Sequence, residues 1–253
     1  MVVPISGGKD SQACLKLAIQ KHGNEQVAGL FCDTQWEHPE TYKHIAHMES
    51  LYQVKIYKVT GGSVPEKVLK YQRFPVLGQR FCTDELKMRE TKMFLKTFAE
   101  EHGPCQVWYG MRSSESPARR KRYSEILDTD LYQPHEVFPG KYPKYLGKLG
   151  IRFMMPILNW STAEVLDFLD GAENPLYKMG FDRVGCFPCL AASDRQKEKV
   201  FVFDGFGKEQ YKKVLWLEQE TGKSVYTTQS AKSRRNQLEL EGMEGNGCSI
   251  CSI

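Results

Sequence analysis

Apolar positions at 2–5 (VVPI) form an unbroken run that stops at a glycine pair, and such a run predicts a buried strand. Residues 11–23 (SQACLKLAIQKHG) then place apolar side chains at the three- and four-residue spacing of a helix and close on a glycine. QVAGLFCD (26–33) reads as a second strand and VKIYKV (54–59) as a third, with a helix between them over 39–53. Pro39 opens that helix, where its missing N–H costs nothing. TDELKMRETKMFLKTFAEEHG (83–103) predicts one long amphipathic helix, and CQVWYGM (105–111) a fourth strand. The alternation predicts an α/β fold, a parallel twisted sheet with helices on both faces. Ligands of such sheets sit at the carboxyl ends of the strands. The polar motifs of this chain fall there, after VVPI, after LFCD and after VWYGM.

The pattern loosens beyond that point. Residues 112–148 are polar and turn-rich, and a loop of this length is expected to be functional or mobile. FMMPILNW (153–160) reads as a further strand, followed by a helix capped by Ser161 with Glu164 three residues on. One helical stretch over about 206–222 precedes a polar tail. The expected organisation is a nucleotide-binding domain over 1–190 and a helical, cysteine-bearing extension over 191–253.

With 253 residues, 41% hydrophobic and 26% charged, the composition is that of a globular protein, and no apolar run approaches the ~20 residues of a membrane helix. Met1 leads almost directly into the first motif, so no cleaved leader and a cytoplasmic location are expected. The net charge of +4 favours anionic partners without naming one. ARRKRY (118–123) and KSRR (232–235) concentrate cations, as solvated faces or as anion contacts. Of eight cysteines, Cys14, Cys32 and Cys105 sit in apolar patterns and read as buried thiols. Cys186/Cys189 and Cys248/Cys251 form C-x-x-C pairs, which in a reducing compartment point to metal or redox chemistry.

SGGKDS (6–11) turns the first strand into the first helix. Gly7 and Gly8 free the backbone so that N–H groups point at one spot above a helix N-terminus, an arrangement that holds phosphate. Lys9 adds a positive charge, and the Ser6 and Ser11 hydroxyls are further donors. Asp10 is misplaced beside an anion unless it holds Lys9 or a magnesium ion. Two glycines alone make an ordinary turn; the hexamer after a first strand makes a nucleotide loop. The spacing is not that of G-x-x-x-x-G-K-[ST].

The hexamer resembles the SGG-x-DS loop of the PP-loop superfamily of adenine-nucleotide enzymes. Five later blocks, DTQWEHPETY (33–42), RFCTDELK (80–87), GMRSSESPARR (110–120), PILNWSTAEV (156–165) and NPLYKMGFDRVGCFPC (174–189), resemble in order those of the phosphoadenosine phosphosulfate (PAPS) reductase family. The resemblance covers about 2–190 and implies the adenine nucleotide alpha-hydrolase-like fold. Asp33 and Thr34 end the second strand, placed for ribose or base contacts or, for Thr34, simple capping. Arg80 and Arg112 suit sulfate or phosphate oxygens, and Arg119 and Arg120 belong to a segment able to close over substrate, whereas Lys87 reads as a solvated helix face.

The resemblance further implies a [4Fe-4S] cluster on Cys82, Cys186 and Cys189. Phe81 stands where cluster-bearing reductases have a second cysteine, so the fourth iron ligand falls to Cys248, to Cys251 or to an exchangeable sulfide, with zinc as an alternative metal. A cysteine near the C-terminus is the nucleophile of sulfonucleotide reductases, which assigns that role to Cys251 or Cys248 beside Lys9 and Arg112. The implied reaction is thiol-dependent reduction of PAPS or its dephospho form APS to sulfite, with thioredoxin or glutaredoxin as reductant. Two alternatives stand beside it. One is an ATP- and Mg2+-dependent sulfur transferase that thiolates tRNA or DNA, and the other an ATP sulfurylase-like nucleotidyltransferase.

Overall fold

The computed structural model describes residues 1–229 and Ser233. The chain folds as two units, residues 1–67 with 81–187 and residues 68–80 with those from 188 onward. The first unit holds five strands, β1 (Val2–Ile5), β2 (Ala28–Asp33), β3 (Lys55–Thr60), β4 (Gln106–Trp108) and β5 (Arg152–Met154), in the spatial order β3-β2-β1-β4-β5. Every neighbouring pair is parallel, with Val2 beside Ala28, Ala28 beside Lys55 and Val107 beside Phe153. The order reverses at β1, which makes the crevice beyond its carboxyl end the topological switch point where such sheets bind ligands. SGGKDS occupies that point.

Both faces of the sheet are covered, which is why the central strands β1 and β2 are near-continuous apolar runs, while the edge strand β3 alternates. Val2, Leu30, Val107 and Phe153 pack one face with Leu95, Tyr109 and Tyr142, while Val3, Ile5, Phe31 and Ile56 pack the other with Leu15, Met48 and Trp108. The helices are α1 (Lys9–His22), α2 (Pro39–Tyr52), α3 (Val64–Tyr71) and α4 (Arg89–His102). The predicted long helix over 83–103 begins with a wider π-helical turn at Thr83–Met88.

Residues 112–148 differ from the expected loop. They form three short helices, α5 (Pro117–Arg122), α6 (Pro134–Val137) and α7 (Lys144–Lys148), tied down by buried Tyr123, Val137, Phe138, Tyr142 and Leu146. These five are too widely spaced to give a period, yet each reaches the core. The strand expected over 153–160 ends at Met154, because Pro156 has no N–H to donate to a ladder. Helix α8 (Thr162–Leu169) follows with the expected capping box, Ser161 Oγ accepting from Glu164 N at 3.1 Å and Glu164 Oε2 from Ser161 N at 2.7 Å.

The second unit contains α9 (Asp194–Phe201) and α10 (Gly205–Thr221). Asp204 caps α10, and Gly222 ends it in a left-handed conformation. Among the described residues no helix is long and apolar enough to cross a membrane.

Candidate functional site

The phosphate loop is shaped by two close approaches. Gly7 has φ +75°, and a Cβ on it would stand 2.5 Å from Thr41 Cγ2, so only glycine fits. A Cβ on Gly110, just past β4, would stand 2.4 Å from the Asp10 carbonyl oxygen and 2.7 Å from Ser11 Cα. Gly110 therefore lets β4 press against the first turn of α1. A Gly110→Ala substitution is expected to push these backbones apart and to cost about 1–3 kcal/mol, read as a lower midpoint in urea melts. Ser11 Oγ donates to Gly8 O at 2.9 Å and accepts from Ser6 N at 3.2 Å, which leaves Ser6 Oγ to donate in their 3.2 Å hydroxyl pair. In this arrangement both hydroxyls brace the loop.

Cations converge on the same place. Arg112, 3% exposed, donates from Nε to Asp10 Oδ1 at 2.6 Å and from Nη1 to Ser114 Oγ at 2.9 Å and Trp160 O at 3.3 Å. Asp10, expected to hold Lys9 or a magnesium ion, accepts its side-chain hydrogen bond from Arg112. Lys9 is buried, and its ammonium stands 4.8 Å from the centre of the Tyr177 ring. Burial weakens its hold on the proton, Asp10 and Asp182 oppose that, and Arg112 and Arg183 add to it. Arg119 is likewise weakened, first by burial and then by Arg183 and Arg112, although it pairs with Glu115. Lys9 and Arg119 each feel the charges of Arg112 and Arg183, and such a gathering of cations suits an anion. Arg120, next along α5, is exposed, and Arg80 belongs to the second unit.

Three residues in the NPLY–DRV stretch carry no individual sequence signal for this site. Asn174 is fully buried and donates from Nδ2 to Gly7 O at 3.2 Å. Tyr177 Oη accepts from the Lys9 amide at 3.0 Å. Arg183 joins the cations above. The nearest thing to a signal for Asn174 is the Asn-Pro pair, since it caps a short 3-10 turn at Pro175–Tyr177.

At the end of β2, Asp33 and Thr34 are tied into the turn that follows the strand. Asp33 accepts from Gln35 N at 2.8 Å and Tyr42 Oη at 2.7 Å and pairs with Lys58 at 2.8 Å. Burial would raise its pKa, but these partners outweigh it and hold the carboxyl below its ordinary value. Thr34 Oγ1 donates to Glu37 Oε1 at 2.6 Å. Cys186 lies in the same knot, its Sγ 3.4 Å from Thr34 Oγ1 and 3.7 Å from Glu37 Oε1. Lys87 is not on a solvated face. It is half-buried, and its proton is held more tightly by Cys186, against the effect of burial, and further by Glu37, Cys82 and Cys32.

Cys82 and Cys186 thus share the surroundings of one ammonium, while Cys189 is exposed and belongs to the second unit. Among the described residues no three His, Cys, Asp or Glu side chains form a group that could hold a metal ion. The three-cysteine site that the resemblance implied draws Cys82 and Cys186 from the first unit and Cys189 from the second, and the chemistry proposed below is argued without it. Cys248 and Cys251 lie outside the described residues.

A parallel sheet with a glycine-rich turn at its switch point and cations gathered over it defines an α/β protein of the class that binds ligands at its strand ends. Residues 1–192 match the model of the phosphoadenosine phosphosulfate reductase domain, and the chain belongs to that family. An uncharacterised protein of Methanocaldococcus jannaschii is 29% identical over 205 residues, covering 79% of this chain and 38% of that protein. The adenosine 5'-phosphosulfate reductase of Anoxybacillus flavithermus is 22% identical over 173 residues, covering 67% of this chain and 64% of that one. Among solved structures, the phosphoadenylyl-sulfate reductase of Candida auris in a phosphate complex is 18% identical, with a TM-score of 0.47 over 74% of this chain and 81% of that chain.

Proposed function

We propose that the chain is an enzyme that reduces a sulfonucleotide, PAPS or APS, to sulfite and an adenosine phosphate. The observation that carries this reading is the convergence of Lys9, Arg112, Arg119 and Arg183 at the sheet's switch point, in a member of the PAPS reductase domain family. In this reading Gly7 and Gly8 let the loop backbone approach the 5'-phosphate, and the cations hold the phosphate and sulfate oxygens. A cysteine thiolate attacks the sulfur, the sulfur–oxygen bond breaks, and its electron pair leaves on the phosphate. The growing charge there is what Lys9 and Arg112 stabilise. The enzyme then carries a thiosulfonate. A thiol of thioredoxin or glutaredoxin attacks the cysteine sulfur, sulfite leaves with the bonding pair, and the partner's second thiol releases the enzyme as its own disulfide closes. Cys251 or Cys248 supplies the nucleophile.

The intact SGGKDS loop favours a second reading, in which ATP activates tRNA or DNA for thiolation and pyrophosphate leaves. Two products separate the readings. Protein purified without oxygen is assayed for sulfite from PAPS and from APS with reduced thioredoxin or glutaredoxin. Pyrophosphate from ATP and Mg2+ is assayed in parallel, with and without tRNA or DNA. Sulfite release is the expected result; pyrophosphate that requires nucleic acid, without sulfite, overturns the reductase.

A further inference from the structure

Tyr177 has no role in the reduction chemistry, yet its hydroxyl stands over the loop. A Cβ on Gly8 would lie 3.2 Å from it. The Lys9 amide donates to that oxygen at 3.0 Å. A phenolic oxygen has two acceptor sites and one proton. With the Lys9 amide already donating to this oxygen, what Tyr177 can offer an anion is its own proton, and among the described residues no acceptor takes it. Burial pushes its pKa up to about 12, against the effect of the Lys9 amide, so the group remains a donor.

The amide of the loop lysine is an obvious anion donor in a turn of this kind, since it opens the helix at the point of convergence. Here it is turned to Tyr177 instead. The phenol is placed to pass that donation on, and hydrogen bonds in series strengthen one another. We propose that Tyr177 is a ligand-contacting donor, giving its hydroxyl proton to a phosphate or sulfate oxygen of the bound nucleotide in place of the Lys9 amide. This rests on the sulfonucleotide reading to the extent that an adenine nucleotide binds at the loop. The opposite arrangement is a gate, in which the hydroxyl blocks the amide and a ligand must displace it. The two predict opposite signs.

Tyr177→Phe keeps the ring beneath the Lys9 ammonium and removes only the hydroxyl. Dissociation constants for APS, 5'-AMP and adenosine are measured by calorimetry, with weak ligands in competition format. A donor to a charged group predicts binding of APS and 5'-AMP weakened about tenfold or more, with adenosine unchanged. Replacing Tyr177 by 3-fluorotyrosine, nearly isosteric and a stronger donor, is expected to tighten both anions and covers the case of a poorly folded phenylalanine variant. Unchanged or tighter binding by Tyr177→Phe, or a loss shared equally by adenosine, overturns the proposal and leaves the sulfonucleotide reading standing. A wild-type protein that binds no adenine nucleotide overturns both.

Discussion

An Arg112→Met variant is expected to lose about 10²–10³-fold in kcat/KM for sulfite release, the range found when one preorganised charge-stabilising donor is removed. The reason lies in how the guanidinium is held. Its Nε is fixed by Asp10 at 2.6 Å, and its Nη1 by Ser114 Oγ and the Trp160 carbonyl. Among the described residues no partner takes the two N–H groups of Nη2, which face no rearrangement when charge develops on a substrate oxygen. Arg112→Lys is not expected to restore the rate, because an ammonium cannot span three fixed acceptors and still present a planar donor pair. Folding is a separate readout. Asp10 keeps an 18% exposed side chain, so water can reach the carboxylate left behind, and the loss of stability is small beside the loss of rate. A kcat/KM within about threefold of wild type, in a folded variant, sinks the assignment of Arg112 as a ligand-contacting residue.

Arg112 also shows how far a sequence reaches. Its place after the fourth strand is legible, because alternating strands and helices fix a parallel sheet and put each strand's end near the ligand. The same logic locates Lys9, Arg119 and the glycine loop. It cannot say that Asp10, 102 residues earlier, is Arg112's partner, since a pair that distant leaves no periodic trace. Lys87 departs from its expected solvated face for a related reason. Helical spacing marks a face, but the π-helical turn at Thr83–Met88 shifts the angular position of its residues, and Lys87 points into the thiol-bearing knot instead of solvent. Asn174 and Tyr177 lie within a legible motif, yet their roles stay hidden because their contacts are to loop backbone, whose direction no residue pattern encodes. Helix α9 escapes for want of an amphipathic run: its first residues are nearly all charged, and two of them, Asp194 and Lys197, are buried.

That buried pair carries the largest expected effect on stability. Asp194→Ala is expected to destabilise the second unit by about 3–5 kcal/mol, the cost of breaking a buried ion pair from one side. Lys197 is fully buried, with its ammonium 2.8 Å from Asp194 Oδ1 and 2.6 Å from the Val225 carbonyl. Asp194 also accepts from the amide and hydroxyl of Thr228, both at 2.9 Å, and from those of Thr227. Removing the carboxylate strands a buried charge and unties the 225–228 segment together. Lys197→Met is expected to cost less, because Asp194 keeps its threonine donors and the methionine chain fills the space. Acidity offers an independent check. Burial opposes ionisation of Asp194, but the Lys197 ammonium and the threonine donors outweigh it and hold the carboxyl well below its ordinary range. A depressed carboxyl contributes stability that is complete above its unfolded value, about 4, and is lost as pH falls toward the folded value. The gap between wild type and Asp194→Ala is therefore expected to be full at neutral pH and to narrow progressively once pH drops below about 4. Urea melts at a series of pH values measure it, and a gap that stays constant, or widens in acid, rules out the ionised pair as its source.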